Sequence, residues 1–224
     1  YAVLPKEALV RIDKHIPFDH AALFGCGVVT GVGAVINTAS AREEDSIAIV
    51  GLGGVGLSAL LASIAIGSKK TIAIDLSNEK LNLAHELGAD HILNPNDANF
   101  LERVRDLTSG GANIAIETAG SGRALKTAYD ITRRGGTTVA AGMPGPKVDI
   151  TLSHLSIAAE ERIIKGSYMG SCIAHRDIPK YLDMFQTGKL PVDRLLSRKI
   201  TFEDLNAAMD RLDDAKTVRE VLIP

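Results

Sequence analysis

Cysteine is scarce in this sequence: Cys26 and Cys172 are the only two. Two thiols cannot make the disulfide framework of a small secreted domain. An excess of one charge is also lacking. Lysine and arginine number 25 against 27 acidic residues, a formal net charge of −2, and they are spread along the chain. Nothing here resembles a basic face for nucleic acid. No apolar run is long and flanked as a membrane span would be, and no signal peptide is visible. Internal repeats and low-complexity segments are not apparent. These absences point to a cytoplasmic chain with neither nucleic acid nor membrane as partner. What is present suits a globular fold: 224 residues, 46% hydrophobic and 23% charged, enough for a sizeable core.

The most informative stretch runs from Ser46 to Gly56. A short apolar strand, Ser46–Val50, breaks into the turn Gly51-Leu52-Gly53-Gly54-Val55-Gly56. An apolar helix over Val55–Ile66 follows, and Gly67 stops it. A second apolar strand, Thr71–Ile74, ends on the carboxylate of Asp75. Strand, glycine turn, helix, strand and acid in this order spell a dinucleotide-binding fingerprint. Gly51 permits the tight turn, Gly53 lets a pyrophosphate approach the backbone, and Gly56 lets the helix pack closely. The first helical turn has free N–H groups and partial positive charge, which suit that pyrophosphate. Asp75 offers two oxygens to ribose hydroxyls. The cofactor this implies is NAD, because a 2′-phosphate would sit against the carboxylate and Leu76 supplies no guanidinium to hold it.

Strand and helix patterns go on alternating. Helices are expected over 78–87, with Ser77 as N-cap, over 100–108, and over about 123–132. Strands are expected over 91–93, 114–117, 137–141 and 162–168. The six strands predict a doubly wound parallel sheet in the order 3-2-1-4-5-6, a Rossmann unit over residues 30–168. The ends do not belong to it. Residues 1–16 read as extended, and a glycine-studded helix candidate covers 25–34. The tail reads as helix (177–187), strand (195–200), helix (202–212) and strand (218–223). Residues 1–29 and 169–224 therefore look like pieces of a second, incomplete domain, mobile or in contact with neighbours. Lys80 stands near a helix start, where a cation is mildly disfavoured. Asp75 or a bound anion would correct that, and a solvated surface lysine is the other reading. On residue type alone, Cys26 reads as a small buried hydrophobe. The six histidines and Cys172 show no ligand spacing.

The segment Leu23-Phe24-Gly25-Cys26-Gly27-Val28-Val29-Thr30-Gly31, with Gly51–Leu57, Ile74-Asp75 and Lys80, closely resembles the medium-chain, zinc-dependent alcohol dehydrogenases. The likeness continues through Glu86–Ala89, Asn94-Pro95, Ala141-Gly142-Met143-Pro144, Lys165-Gly166 and Val218–Leu222. It covers nearly the whole chain, but only the C-terminal portion of that family's pattern. The family's Gly-His-Glu motif and its cysteine cluster for structural zinc do not occur here. The resemblance implies hydride transfer between an alcohol or aldehyde and NAD, assisted by zinc in the full-length enzyme. It makes Cys26 one of three protein ligands of the catalytic zinc, the others lying outside this chain. Thr30 would pack against the nicotinamide. Thr118, Ala119, Ala141, Gly142 and Met143 would line its ribose and ring, and Ser167, Tyr168 and Met169 would hold its carboxamide. Arg219 would reach the pyrophosphate.

Three other readings stay open: a noncatalytic NAD-binding module, a zinc-free reductase of the same superfamily, and a methyltransferase. The glycine spacing and the Gly-Cys-Gly helix argue against the last. In the resembled family nucleotide-binding domains pair at a sheet edge, and Ile150–Leu155 with Arg162–Tyr168 are apolar enough to supply it. A homodimer is expected.

Overall fold

A computed structural model describes residues 3–211 and 217–224. Its centre is a six-stranded parallel sheet of β1 (Ser46–Val50), β2 (Lys70–Ile74), β3 (His91–Leu93), β4 (Ala112–Glu117), β5 (Thr132–Ala140) and β6 (Ile163–Gly166). The spatial order is β3-β2-β1-β4-β5-β6, as the sequence predicts. Every residue of β1 is buried, which is why it reads as one apolar run: both faces of a central parallel strand are covered. Ile47 and Ile49 face one core, and Ala48 and Val50 the other.

Helices α1 (Phe18–Leu23), α2 (Gly27–Gly33) and α3 (Gly54–Ala65) lie on the first side. Leu57, Leu60 and Leu61 of α3 pack there with Val28, Val32 and Val35. Caught between the sheet and α2, α3 is apolar nearly all round. A π-turn, Ala34–Thr38, continues α2. The other face carries α5 (Phe100–Thr108) and α6 (Gly122–Ile131), with Phe100, Val104, Ala128 and Ile131 in its core. Helix α4 (Asn78–Glu86) starts at Ser77, whose Oγ accepts the Lys80 N–H.

Several boundaries differ from expectation. The segment 150–155 is not a strand: His154 and Leu155 open a helix, α7 (His154–Ala159), capped by the Ser153 hydroxyl. A serine cap outweighed a short apolar run. Strand β5 begins at Thr132 rather than at 137, with an irregular register against β4 between Ala112 and Ile114. Helix α1, directly after Pro17, precedes the helix candidate and was not itself expected. Within 1–16 a 3₁₀ turn, Lys6–Ala8, stands where an extended piece was expected.

The tail forms α8 (Ala174–Gln186), β7 (Leu196–Ile200), α9 (Leu205–Asp210) and β8 (Arg219–Leu222). Leu212, the expected end of the third of these, lies outside the described residues. Strands β7 and β8 pair in parallel as a separate small sheet. Parts of both flanks pack on the sheet: Ile16, Leu23, Phe24, Tyr181, Leu182, Leu190, Val192 and Leu195 share the core of the first sheet face.

Candidate cofactor site

Strand β1 has β2 on one side and β4 on the other, so the chain reverses its winding there. In open parallel sheets such a switch point opens a crevice at the C-terminal strand ends. The turn Gly51–Gly53 occupies this position. Gly51 holds φ +94°, and a Cβ there would meet the Ala119 Cβ at 2.8 Å. A Cβ on Gly56 would run into the Gly51 carbonyl oxygen. A Cβ on Gly53 would meet nothing within 4 Å, so the space above it is open. Gly53 is also the N-cap of α3, and no side chain caps the helix amides.

Asp75 does more than end β2. Its Oδ2 accepts the Leu52 N–H at 2.7 Å, and its Oδ1 accepts the Ser77 N–H at 2.9 Å. The carboxylate thus ties the glycine turn to the start of α4, and each oxygen keeps a further lone pair. Beside it a cleft of about 250 Å³ is lined by Asp75, Leu76, Lys80, Pro95, Arg123 and Thr127, among others. Pro95, part of the resemblance, and Arg123 were not named as site residues from the sequence. Arg123 Nη2 donates to Asn96 Oδ1 at 2.7 Å, which closes the cleft's outer wall. That contact joins the loop after β3 to α6, and only the fold brings them together.

Arg219 reaches in from β8. A Cβ on Gly27 or on Gly54 would run into its guanidinium. The charge therefore lies against the first residues of both α2 and α3. A cation at two helix N-termini is unfavourable by itself and calls for an anion.

Thr118 follows β4 at the crevice. Its Oγ1 donates to Gly51 O at 2.6 Å and contacts Val50 O at 3.2 Å, so it ties the loops after β1 and β4. Ala141 is buried, while Met143 and Tyr168 are exposed in the loops after β5 and β6. Thr30 is buried in α2; its hydroxyl donates to Cys26 O at 2.8 Å and lies 3.9 Å from Met169 Sδ. Cys26 is the N-cap of α2 and is exposed, which overturns the buried-hydrophobe reading. Cys172 is half-buried, and burial with the Asp177 carboxylate nearby pushes its thiol up. Among the described residues, no three His, Cys, Asp or Glu side chains come together as a metal site.

Glu117, not singled out from the sequence, ends β4 and is buried, with 2% exposure. Its Oε1 accepts the Gly120 N–H at 2.6 Å. Burial pushes its carboxyl above the ordinary 4.5, and backbone amides of Gly120, Ala119, Ser121 and Gly142 pull it back. The available signal was a carboxylate closing an apolar strand, the same pattern as Asp75 on β2.

A family profile described as zinc-binding dehydrogenase matches residues 54–187. Alcohol dehydrogenase B of Mycobacterium tuberculosis is 34% identical over 227 residues, covering 99% of this chain and 60% of that protein. The S-(hydroxymethyl)glutathione dehydrogenase of Paracoccus denitrificans is 29% identical over 231 residues, covering 100% of this chain and 61% of that protein. Among solved structures, benzyl alcohol dehydrogenase from Acinetobacter calcoaceticus superposes with a TM-score of 0.91 at 30% identity, covering 95% of this chain and 59% of that one. The chain thus spans about 60% of the length of the curated relatives it matches.

Proposed function

The chain belongs to the zinc-binding dehydrogenase family, and from that premise we propose that it is the NAD-binding part of an alcohol dehydrogenase. The observation that carries this reading is the Arg219 guanidinium against Gly54, at the open N-terminus of α3. A dinucleotide pyrophosphate supplies the anion that this cation and these amides require. The residues present fit NAD. Gly51, Leu52, Gly53, Gly54, Val55 and Gly56 form the cradle, and Arg219 closes it. Asp75 accepts the ribose hydroxyls on its spare lone pairs, with Lys80 beside it. The cleft walled by Leu76, Pro95 and Arg123 takes the adenine.

NAD, when bound, supplies the hydride acceptor for an alcohol or the donor for an aldehyde. This chain's own part is placement. Thr118, Ala141, Gly142, Met143 and Tyr168 sit at the C-terminal ends of β4, β5 and β6, where the nicotinamide half would lie. Thr30 backs that half from α2. Cys26, exposed at the start of α2, fits a single thiolate ligand of zinc. A catalytic zinc takes three protein donors, and no such set assembles among the described residues. No step of the reaction is therefore assigned to zinc on this chain alone. The apolar edge of β6, with Ile163 45% and Ile164 40% exposed, is the surface on which two copies would pair. Two free thiols suit a reducing, cytoplasmic setting.

Titrating the 224-residue chain with NADH, and separately with S-adenosylmethionine, tests the reading. Saturable NADH binding that ADP displaces is expected. Binding of S-adenosylmethionine without NADH would overturn it in favour of a methyltransferase.

A further inference from the structure

Glu117 lies at the C-terminal end of a central strand, paired with Val50 on one side and Ala140 on the other. Its main-chain carbonyl accepts the Ala141 and Gly142 N–H groups at 2.9 and 3.0 Å. Its carboxylate reaches forward to the loop after β4, accepting Gly120 N–H at 2.6 Å. The Gly142 amide, in the loop after β5, also favours its charged form. The two loops interlock above it. A Cβ on Gly142 would run into the Gly120 nitrogen and lie 2.8 Å from Glu117 Oε1. A Cβ on Gly120, where φ is +69°, would lie 2.7 Å from Met143 O. The neighbouring residue faces the other way: Thr118 Oγ1 donates to Gly51 O at 2.6 Å. Residues 117 and 118 thus fasten three successive loops at the crevice, one with a carboxylate and one with a hydroxyl.

We propose that Glu117 is a positioning residue: its buried carboxylate locks the loop after β4 onto the loop after β5 and so fixes the floor under the nicotinamide half of NAD. The inference rests on the NAD-binding reading above. A dinucleotide lies across the switch point with one nucleotide on each side. Asp75 stands on the β2 side, its cleft reaching across to Ala119, Ser121 and Arg123 beyond β4, so the second nucleotide falls toward the ends of β4 and β5. A neutral side chain would have spared the desolvation of a buried charge. A carboxylate offers two acceptor oxygens to surrounding amides, whereas glutamine offers one and presents a donor in place of the other.

The test compares NADH with ADP, which lacks the nicotinamide nucleoside, on the wild-type chain, Glu117→Gln and Gly142→Ala. Glutamine keeps the shape but turns one acceptor into a donor facing amide N–H groups. NADH affinity is expected to fall about tenfold in Glu117→Gln, the scale of one lost charge-assisted hydrogen bond, and ADP affinity by clearly less, because the loop it holds lends only Ala119 and Ser121 to the adenosine cleft. Gly142→Ala, which strains the same contact from the opposite loop, is expected to give the same split. Equal losses for both ligands, or no loss for either, overturn the positioning role. If Glu117→Gln does not fold, the split in Gly142→Ala decides. A wild-type chain that binds neither ligand overturns the NAD-binding reading itself.

Discussion

At the scale of single residues, one carboxylate that ties the glycine turn to α4 keeps lone pairs free for a ligand. Asp75 is legible in the sequence as the acid after the second strand, but its bond to the Leu52 amide is not, because 23 positions separate the two. Asp75→Ala should therefore weaken NADH binding by about tenfold or more, through lost ribose contacts and a loosened glycine turn. It should also narrow the preference over NADPH. A 2′-phosphate about 4 Å from Asp75 would be repelled by up to roughly 4 kcal/mol before relaxation and screening. Parallel titrations of the two cofactors check this, and equal binding of both by the unaltered chain would refute it. Arg219→Lys is a finer probe. Lysine keeps the charge but not the planar fork, so NADH affinity should fall, though less than in Arg219→Ala. Cys26 and Glu117 show where residue-level reading stops. Exposure of a cysteine and desolvation of a glutamate are set by what packs around them, and composition does not carry that.

At the scale of elements, the capped helix α4 and the apolar runs of β1 and β2 were read well, and one apolar run was not. Helix α4 starts at Ser77 as expected, whereas the run from Ile150 to Leu155 dissolves into a loop and the first residues of α7. Period alone cannot separate a short strand from a helix start. The junction of α8 with the π-turn was invisible, since its partners lie 140 positions apart. There the buried Asp177 accepts from Arg176, the Ile173 amide and Asn37. The Arg176 hydrogen bond, against the opposing effect of burial, holds its carboxyl below the ordinary 3.8. A lowered value means stability that is present in full above pH 3.8 and is lost as pH falls through the folded-state value. Asp177→Asn should destabilise by about 1–3 kcal/mol at pH 7, roughly 2–4 °C of melting temperature per kcal/mol. The gap between the two melts should close as pH falls below 3.8. A gap that stays constant with pH would contradict the assignment. The β6 edge gives a second element-scale prediction. Ile163→Lys places a charge on an exposed apolar edge, so sedimentation at micromolar concentration should shift from dimer to monomer. A wild-type chain that is already monomeric would remove the pairing.

At the scale of the whole molecule, the doubly wound order was legible because the crossovers from β1 to β5 each left a strand–helix alternation. The packing of both flanks onto the sheet was not legible, since Ile16, Tyr181 and Leu190 meet only through the fold. The molecule so assembled has a crevice at the switch point of its sheet and, among its described residues, no three-donor metal site. The 224-residue chain should therefore bind NADH yet fail to oxidise alcohols with NAD and added zinc. Zinc-dependent turnover by this chain would contradict that.

The central claim is that the turn Gly51–Gly56, Asp75 and Arg219 together hold a dinucleotide. A crystal structure of the chain grown with saturating NADH tests it most directly. The account predicts the pyrophosphate on the amides at the start of α3, within hydrogen-bond reach of the Arg219 guanidinium, and the adenosine ribose on Asp75. NADH bound elsewhere, or a crevice that stays empty at saturation with Arg219 still against Gly54, would contradict it.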